Sequence, residues 1–162
     1  MPAPLQPIAI QDLLADPQPQ RLTFEQAIAG LETIAPVRGW PEMVVEGPLL
    51  RLEAEASASV ELRCDRCLKT FVHGLRARVS ERIGLGTSAE DLSDALDYDA
   101  DGISEQIDPQ GQFDPQQWIY EQLTLQVPLV NRCGPQCPGP DSWGSGDPPL
   151  DPRWAALSRL KP

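Results

Sequence analysis

The sequence has few of the features on which membrane proteins and secreted proteins depend. No stretch of about 20 apolar residues, the length needed to cross a bilayer as a helix, occurs in its 162 residues. A secretory signal has a basic start followed by an apolar run, and the first residues, MPAPLQPIAIQDLL, have neither. These absences argue against a membrane helix and predict a soluble, cytoplasmic protein that makes no membrane contact.

Histidine is almost absent, which limits the catalytic chemistry available. The chain has one histidine, so a Ser-His-Asp or Cys-His arrangement could form only around His73. No nucleophile elbow and no phosphate-binding glycine loop accompanies that residue. The many carboxylates have no predicted rigid frame that would hold two of them as an acid and base pair. We therefore expect no enzymatic activity and no small-molecule substrate.

Basic residues are absent from one long segment, and this segment sets the net charge of −11. Residues 84–131 contain ten acidic residues and no Lys or Arg, whereas the remainder has 14 acidic and 13 basic residues. Like charges with few apolar anchors predict a solvated, mobile loop over residues 84–113. An alternative, in which the segment mimics nucleic acid or contacts a basic partner, stays open.

The clearest periodicity lies in residues 50–62, where every even position is apolar and every odd position is polar. This alternation predicts a strand with one buried face, and its Ala-Ser centre predicts a bend or bulge. After residue 67 the apolar residues move to odd positions, which predicts a second strand that returns antiparallel to the first. The dipeptide between Cys64 and Cys67 would then lie in the hairpin connection.

The rest of the chain completes a single α+β domain. Asp114 and Pro115 are typical of a helix start and Pro128 of a stop, so a helix is predicted over residues 114–127. A short helix is predicted at DPRWAALSRL, where Trp154 and the leucines could dock on the core. The predicted fold is a twisted antiparallel sheet, barrel-like if it closes, with one or two packed helices. Its segments are uncertain elements in 1–44, a hairpin core in 45–83, the acidic loop in 84–113, and the helix and tail in 114–162.

Four cysteines in two close pairs suggest one metal site: Cys64, Cys67, Cys133 and Cys137. A C-x2-C turn directs two thiolates at one point, and a C-x3-C loop can do the same, so together they could hold one structural zinc ion. The cysteines could instead be buried and reduced, form two small disulfides, or act as a redox couple. His73 could also be a ligand, although its inward parity favours a core or edge position.

Positive charge gathers near the predicted hairpin connection. The candidate contacts to RNA or to a partner are Arg63, Arg66, Lys69, Arg76, Arg78 and Arg82. His73 lies among them. Because acidic residues share the neighbourhood, an ordinary solvated face is an equal alternative.

Several motifs in this order resemble the YceD family of large ribosomal RNA subunit accumulation proteins. They are VELRCDRCLKTF after an alternating strand, IYEQLTLQVPLV leading into CGPQCPG, and a terminal DPRWAALSRL. The resemblance covers roughly residues 45–160. In it, Cys64 and Cys67 match the C-x-R-C turn of the family, Arg66 its arginine, and Cys133 and Cys137 its later cysteines.

The resemblance implies a non-enzymatic factor that supports large-subunit rRNA accumulation, in processing or in subunit assembly. The implied partner is a ribosomal precursor particle or a ribosome-associated protein, with contact to large-subunit rRNA once docked. The alternatives are a zinc-stabilised protein-interaction adaptor without RNA contact and, as a third hypothesis, a thiol redox sensor.

Overall fold

The computed structural model describes residues 4–86, residues 103–140 and Arg153. The strands are β1 (Ile8–Ala9), β2 (Gln20–Arg21), β3 (Phe24–Gln26), β4 (Val37–Glu46), β5 (Leu49–Arg63), β6 (Thr70–Leu85), β7 (Ile103–Ile107) and β8 (Gln112–Phe113). The helices are α1 (Ile10–Ala15) and α2 (Pro115–Thr124). The α+β class is confirmed. None of the described helices has the length and apolarity needed to cross a membrane.

Six strands form the main sheet, in the order β2-β4-β5-β6-β7, with β3 also paired to β4. All neighbours are antiparallel except β6 and β7, which are parallel. Strands β1 and β8 form a separate two-stranded pair. Within the described ranges the edges of the main sheet do not pair with each other, so the barrel-like closure is wrong.

The alternating pattern in the sequence corresponds to β5. Its even positions from Leu50 to Val60 are buried, and its odd positions are partly or fully exposed. It pairs with β6 from Leu49↔Gly84 to Arg63↔Thr70 without a register shift. The predicted hairpin is confirmed, whereas the predicted bulge is wrong, because β5 keeps its register with both β4 and β6. At the centre of β5, Gly39 of β4 pairs with Ala56, and its missing side chain lets the two backbones approach closely.

Helix α2 covers the buried face of the sheet at β5 and β6. The Asp114 carboxylate accepts hydrogen bonds from the backbone N–H groups of Gln116 and Gln117, at 2.9 and 3.1 Å, and so caps the helix. The helix buries Trp118, Ile119 and Leu123, and the Trp118 indole donates to Glu81 of β6 at 2.8 Å. The predicted helix is therefore present, but it ends at Thr124.

Two predicted segments need correction. The boundary between residues 44 and 45 falls inside β4, and the N-terminal residues Leu5, Ile10 and Phe24 are buried in the same core as the hairpin. Within the predicted acidic loop, Ile103–Ile107 forms β7 beside β6, and Gln112–Phe113 forms β8, which pairs with β1. Residues 87–102 and the predicted helix at residues 151–160, Arg153 excepted, lie outside the described residues.

Strands β5 and β6 continue past the end of β4, whose pairing with β5 begins at Arg38↔Ser57. Residues 58–75 are therefore a two-stranded extension, tipped by the turn that contains Cys64 and Cys67. Residues 125–140 reach this tip after α2 ends. We call residues 58–75 and 125–140 together the cysteine arm.

The close approach of β4 to β5 predicts that a side chain added at Gly39 will destabilise the fold. A β-carbon added at Gly39 would lie 2.8 Å from the Ala56 Cα and clash with the Glu55 carbonyl oxygen, both of them backbone atoms. We expect Gly39→Ala to lower the free energy of unfolding by about 1–3 kcal/mol in urea titration. Gly74→Ala is the matched control, because nothing lies within 4 Å of its added β-carbon. Equal stability of the two variants would contradict the observed packing.

Candidate metal centre

The first half of the site is a tight turn at the tip of the β5–β6 hairpin. The Cys64 N–H donates to the Lys69 carbonyl at 2.9 Å, and the Leu68 N–H donates to the Cys64 carbonyl at 2.9 Å. Leu68 has a φ of 61°, a left-handed conformation that costs a residue with a β-carbon roughly 1–2 kcal/mol. The turn directs both sulfurs to one side of the hairpin.

The second half is the loop of residues 131–137. Gly134 has a φ of 131°, which suits glycine, and the Cys137 N–H donates to the Gly134 carbonyl at 3.2 Å. This bond closes the C-x3-C segment into a turn of its own. Just beyond it Gly139 is buried under Arg66, whose guanidinium lies 3.5 Å from the position of an added β-carbon. Arg66 therefore packs against the exit of the second loop.

Two hydrogen bonds between Asp65 and Asn131, 66 residues apart in sequence, join the halves. The Asp65 N–H donates to the Asn131 carbonyl at 2.9 Å, and the Asn131 N–H donates to the Asp65 carboxylate at 2.6 Å. The second bond is charge-assisted, which makes it stronger than a bond between neutral groups. These contacts hold the two cysteine pairs face to face.

The four sulfurs form one cluster. The Sγ atoms of Cys64 and Cys137 are 3.8 Å apart, those of Cys67 and Cys133 are 3.7 Å apart, and all four lie within 4.8 Å of one another. A tetrahedral metal with bonds of about 2.3 Å to sulfur has sulfur–sulfur separations of about 3.8 Å, whereas a disulfide requires about 2.05 Å. The cluster therefore has the dimensions of a tetrahedral thiolate site and could hold a metal ion, and all four cysteines are free.

The environment of the cluster favours thiolates unequally. Backbone N–H groups of Cys67 and Arg66 lower the pKa of Cys64 to about 6, because they stabilise its anion in the turn. Hydrogen bonding to Cys137, with burial, raises the pKa of Cys133 to about 12. The turn therefore favours the thiolate form of Cys64, whereas Cys133 keeps its proton until a bound metal cation displaces it.

His73 is not among the metal-ligating group in the described part of the chain, which consists of the four cysteines alone. Its ring makes an edge contact with Phe71, with centroids 6.4 Å apart. The structure thus places this histidine with the half-buried residues of β6, as its parity predicted.

The predicted RNA contacts fall into two groups. Arg63, Arg66 and Lys69 surround the cysteine turn, whereas Arg76, Arg78 and Arg82 line the exposed face of β6. Because a strand advances about 3.3 Å per residue, Arg82 lies roughly 40 Å along β6 from the cysteine turn. The structure adds Arg132, which is exposed beside Cys133. Its position next to Cys133 was the one feature of the sequence that could have identified it as a candidate contact residue.

Acidic residues also line the exposed face of the sheet. Arg51 forms ion pairs with Glu46 at 2.9 Å and with Glu53 at 2.6 Å, so the charge of this arginine is already compensated. On the same face Arg21 pairs with Glu42 and lies 3.9 Å above the Trp40 ring. The positive stripe of β6 therefore borders a mixed surface.

Comparison with known proteins gives one match and two negative results. A family model described as "Large ribosomal RNA subunit accumulation protein YceD" matches residues 52–161. No curated protein and no solved structure matches the chain. The matched range includes most of β5, all of β6 and α2, and all four cysteines.

The contact between Asp65 and Asn131 should control metal affinity. We expect Asp65→Ala to weaken cobalt(II) binding by about 10–100-fold in chelator competition, because the second loop loses its anchor. Asp65→Asn is the matched control, since its amide oxygen can still accept from the Asn131 N–H. If Asp65→Ala bound cobalt as tightly as the parent protein, the proposed role of this contact would be wrong.

Proposed function

The chain belongs to the YceD family, and on that premise we propose that it is a non-enzymatic factor supporting accumulation of large-subunit ribosomal RNA, in processing or in subunit assembly. The family match over residues 52–161 is the observation that carries the proposal. In this proposal the protein acts in the cytoplasm on a ribosomal precursor particle or a ribosome-associated protein, without a membrane or a small-molecule substrate.

The proposed metal is one structural zinc ion held by Cys64, Cys67, Cys133 and Cys137. The tetrahedral separations of their sulfurs and their thiolate chemistry support zinc. Four thiolates fill the coordination sphere and leave no position for water or substrate, which is the arrangement of structural sites. The zinc would hold residues 125–140 on the hairpin tip, where no regular strand or helix does so.

The proposed RNA contact is secondary to docking. Affinity for RNA comes largely from neutralised phosphates, and the mixed face beside Arg76 and Arg78 offers few such contacts. The net charge of −11 opposes approach to a polyanion. A precursor particle or partner protein would therefore position the protein, and the basic stripe would then touch RNA.

The adaptor without RNA contact is the second candidate function. Exposed apolar side chains on the cysteine arm, among them Leu68, Leu129 and Val130, favour it because such residues are typical of protein contacts. Both candidates use the same zinc-stabilised arm, and they differ in whether the arginines of β6 meet phosphate.

Metal content tests the zinc proposal. Native mass spectrometry of protein purified without chelator should give about one zinc per chain, and Cys64→Ser should lose it because three thiolates bind weakly. Ser80→Ala, on the exposed face of β6, is the control and should retain the metal. The thiols should react slowly with an alkylating reagent until a chelator is added. A metal-free mass for fresh, reduced protein would refute the proposal.

Ribosome fractionation tests the functional proposal. A tagged copy should sediment with large-subunit precursors, and deletion of the gene should lower large-subunit rRNA. Replacing Arg76 and Arg78 together with Ala should reduce this association, while Arg51→Ala should not, because Glu46 and Glu53 already compensate the charge of Arg51.

RNA binding by the isolated protein should be weak at physiological salt and show little sequence preference. Titration of a large-subunit rRNA fragment across a salt series measures this. Tight, salt-resistant binding would overturn the need for a partner. Absence from all precursor fractions, with unchanged rRNA in the deletion strain, would reject the ribosomal role and favour the adaptor.

A further inference from the structure

Exposed apolar side chains are concentrated on the cysteine arm. In the described part of the chain, seven large apolar residues are at least 42 % exposed. Six of them lie on or against the arm: Ile34, Leu68, Val72, Leu125, Leu129 and Val130. Ile34 belongs to this group because its N–H donates to the Ser59 carbonyl of β5 at 2.8 Å. Single exposed apolar residues are ordinary, but their gathering on one extension is typical of an interaction site.

Leu68, at the tip of the arm, is unfavourable in two separate ways, in its backbone conformation and in the exposure of its apolar side chain. Its φ of 61° is a conformation that glycine adopts freely and leucine does not, and its side chain is 60 % exposed. The turn around the cysteines requires the backbone conformation but does not require the leucine. A strained backbone position that presents an apolar side chain to solvent points to a function for that side chain.

Hydrogen bonds between Asp65 and Asn131 join the turn that carries Leu68 to the segment that carries two further exposed apolar residues. The Leu68 N–H donates a hydrogen bond to the Cys64 carbonyl. Asp65, which follows Cys64 in the chain, exchanges two hydrogen bonds with Asn131. Val130 immediately precedes Asn131 and is 57 % exposed, and Leu129 is 101 % exposed. The contact between Asp65 and Asn131 therefore brings two distant segments that carry exposed leucine and valine residues together at one end of the arm.

Positive charge surrounds these apolar residues. Arg63, Arg66, Lys69 and Arg132 are exposed around the two loops. Zinc bound by four thiolates would carry a charge of −2, but those sulfurs are buried or partly buried beneath the loops, whereas the four basic side chains reach solvent. The Asp65 carboxylate is also exposed and keeps its negative charge while it accepts from the Asn131 N–H. Among the exposed residues of 63–69 and 131–137, four are basic and one is acidic, so the charge that a partner meets at this end is mainly positive.

We propose that the end of the cysteine arm, formed by Leu68, Leu129 and Val130, docks a segment of a partner protein that presents an apolar side chain flanked by carboxylates. The apolar side chain would pack on the leucines, and the carboxylates would meet the surrounding arginine and lysine side chains. RNA fits this end less well, because bases stack on aromatic rings and these exposed residues are aliphatic. The inference rests on the proposed metal-bound arm and not on the proposed role in rRNA accumulation.

Peptide selection on the zinc-loaded, full-length protein tests this inference. From a random dodecapeptide library displayed on phage, we expect enrichment of sequences with a Leu, Ile, Phe or Trp between Asp or Glu residues. Binding of a selected synthetic peptide, followed by fluorescence anisotropy, should weaken at least tenfold in Leu68→Gly and in Leu129→Ser. Lys69→Glu should also weaken it and reduce its salt dependence.

The Leu68→Gly variant separates docking from stability. Glycine suits the positive φ, so zinc content and the urea midpoint should equal or exceed those of the parent protein while peptide binding falls. Leu14→Ala is the matched control, because Leu14 is an exposed leucine on α1, outside the arm. It should change peptide affinity less than twofold.

Four results would overturn the inference. They are enrichment of peptides without acidic residues, no enrichment at all, peptide binding unaffected by Leu68→Gly, and an effect of Leu68→Gly only on self-association or on binding of an rRNA fragment. Failure of the ribosomal role would be seen independently, as normal rRNA in the deletion strain. Peptide binding sensitive to Leu68→Gly would still support the docking site in that case.

Discussion

The structure of the cysteine arm depends on one closure, between the turn at residues 64–69 and the loop at residues 131–137. Two hydrogen bonds join Asp65 to Asn131, and the four sulfurs meet within 4.8 Å beneath them. Residues 125–140 form no helix or strand and bury few apolar side chains, so these contacts supply what regular structure does not. A bound metal would strengthen the closure, because the free energy of metal binding would add to the stability of the closed arm.

The long hairpin makes this closure possible by carrying the cysteines beyond the rest of the sheet. Strands β5 and β6 stay in register over fifteen residue pairs, from Leu49↔Gly84 to Arg63↔Thr70. A shift of one residue would turn the buried side chains to solvent, so the core fixes the register. The same register then fixes where Cys64 and Cys67 stand. Helix α2 is anchored by the hydrogen bond from Trp118 to Glu81, and the chain that leaves it carries the second cysteine pair.

The arm and the neighbouring part of β6 present three different environments. The interior of the arm holds the sulfurs, its tip presents Leu68 and Leu129, and the exposed face of β6 next to the arm presents Arg76, Arg78 and Arg82. Elsewhere on the exposed face arginines are paired with glutamates, as at Arg51. A partner protein and RNA could therefore contact different parts of the protein. This division is the one that the proposed function requires, in which a partner positions the protein before it meets rRNA.

Local patterns in the chain were sufficient to predict the hairpin, the capped start of α2 and the grouping of the cysteines into two half-sites. Each depends on neighbouring residues: alternation over residues 50–62, an Asp-Pro start at residue 114, and cysteines two or three residues apart. They could not show that β7 joins β6 within the acidic segment or that the sheet stays open. They also did not single out Arg132, or a leucine with positive φ at position 68. Those features were decided by contacts between segments far apart in the chain, and their energies depend on packing, register and loop closure, which no short stretch of sequence contains.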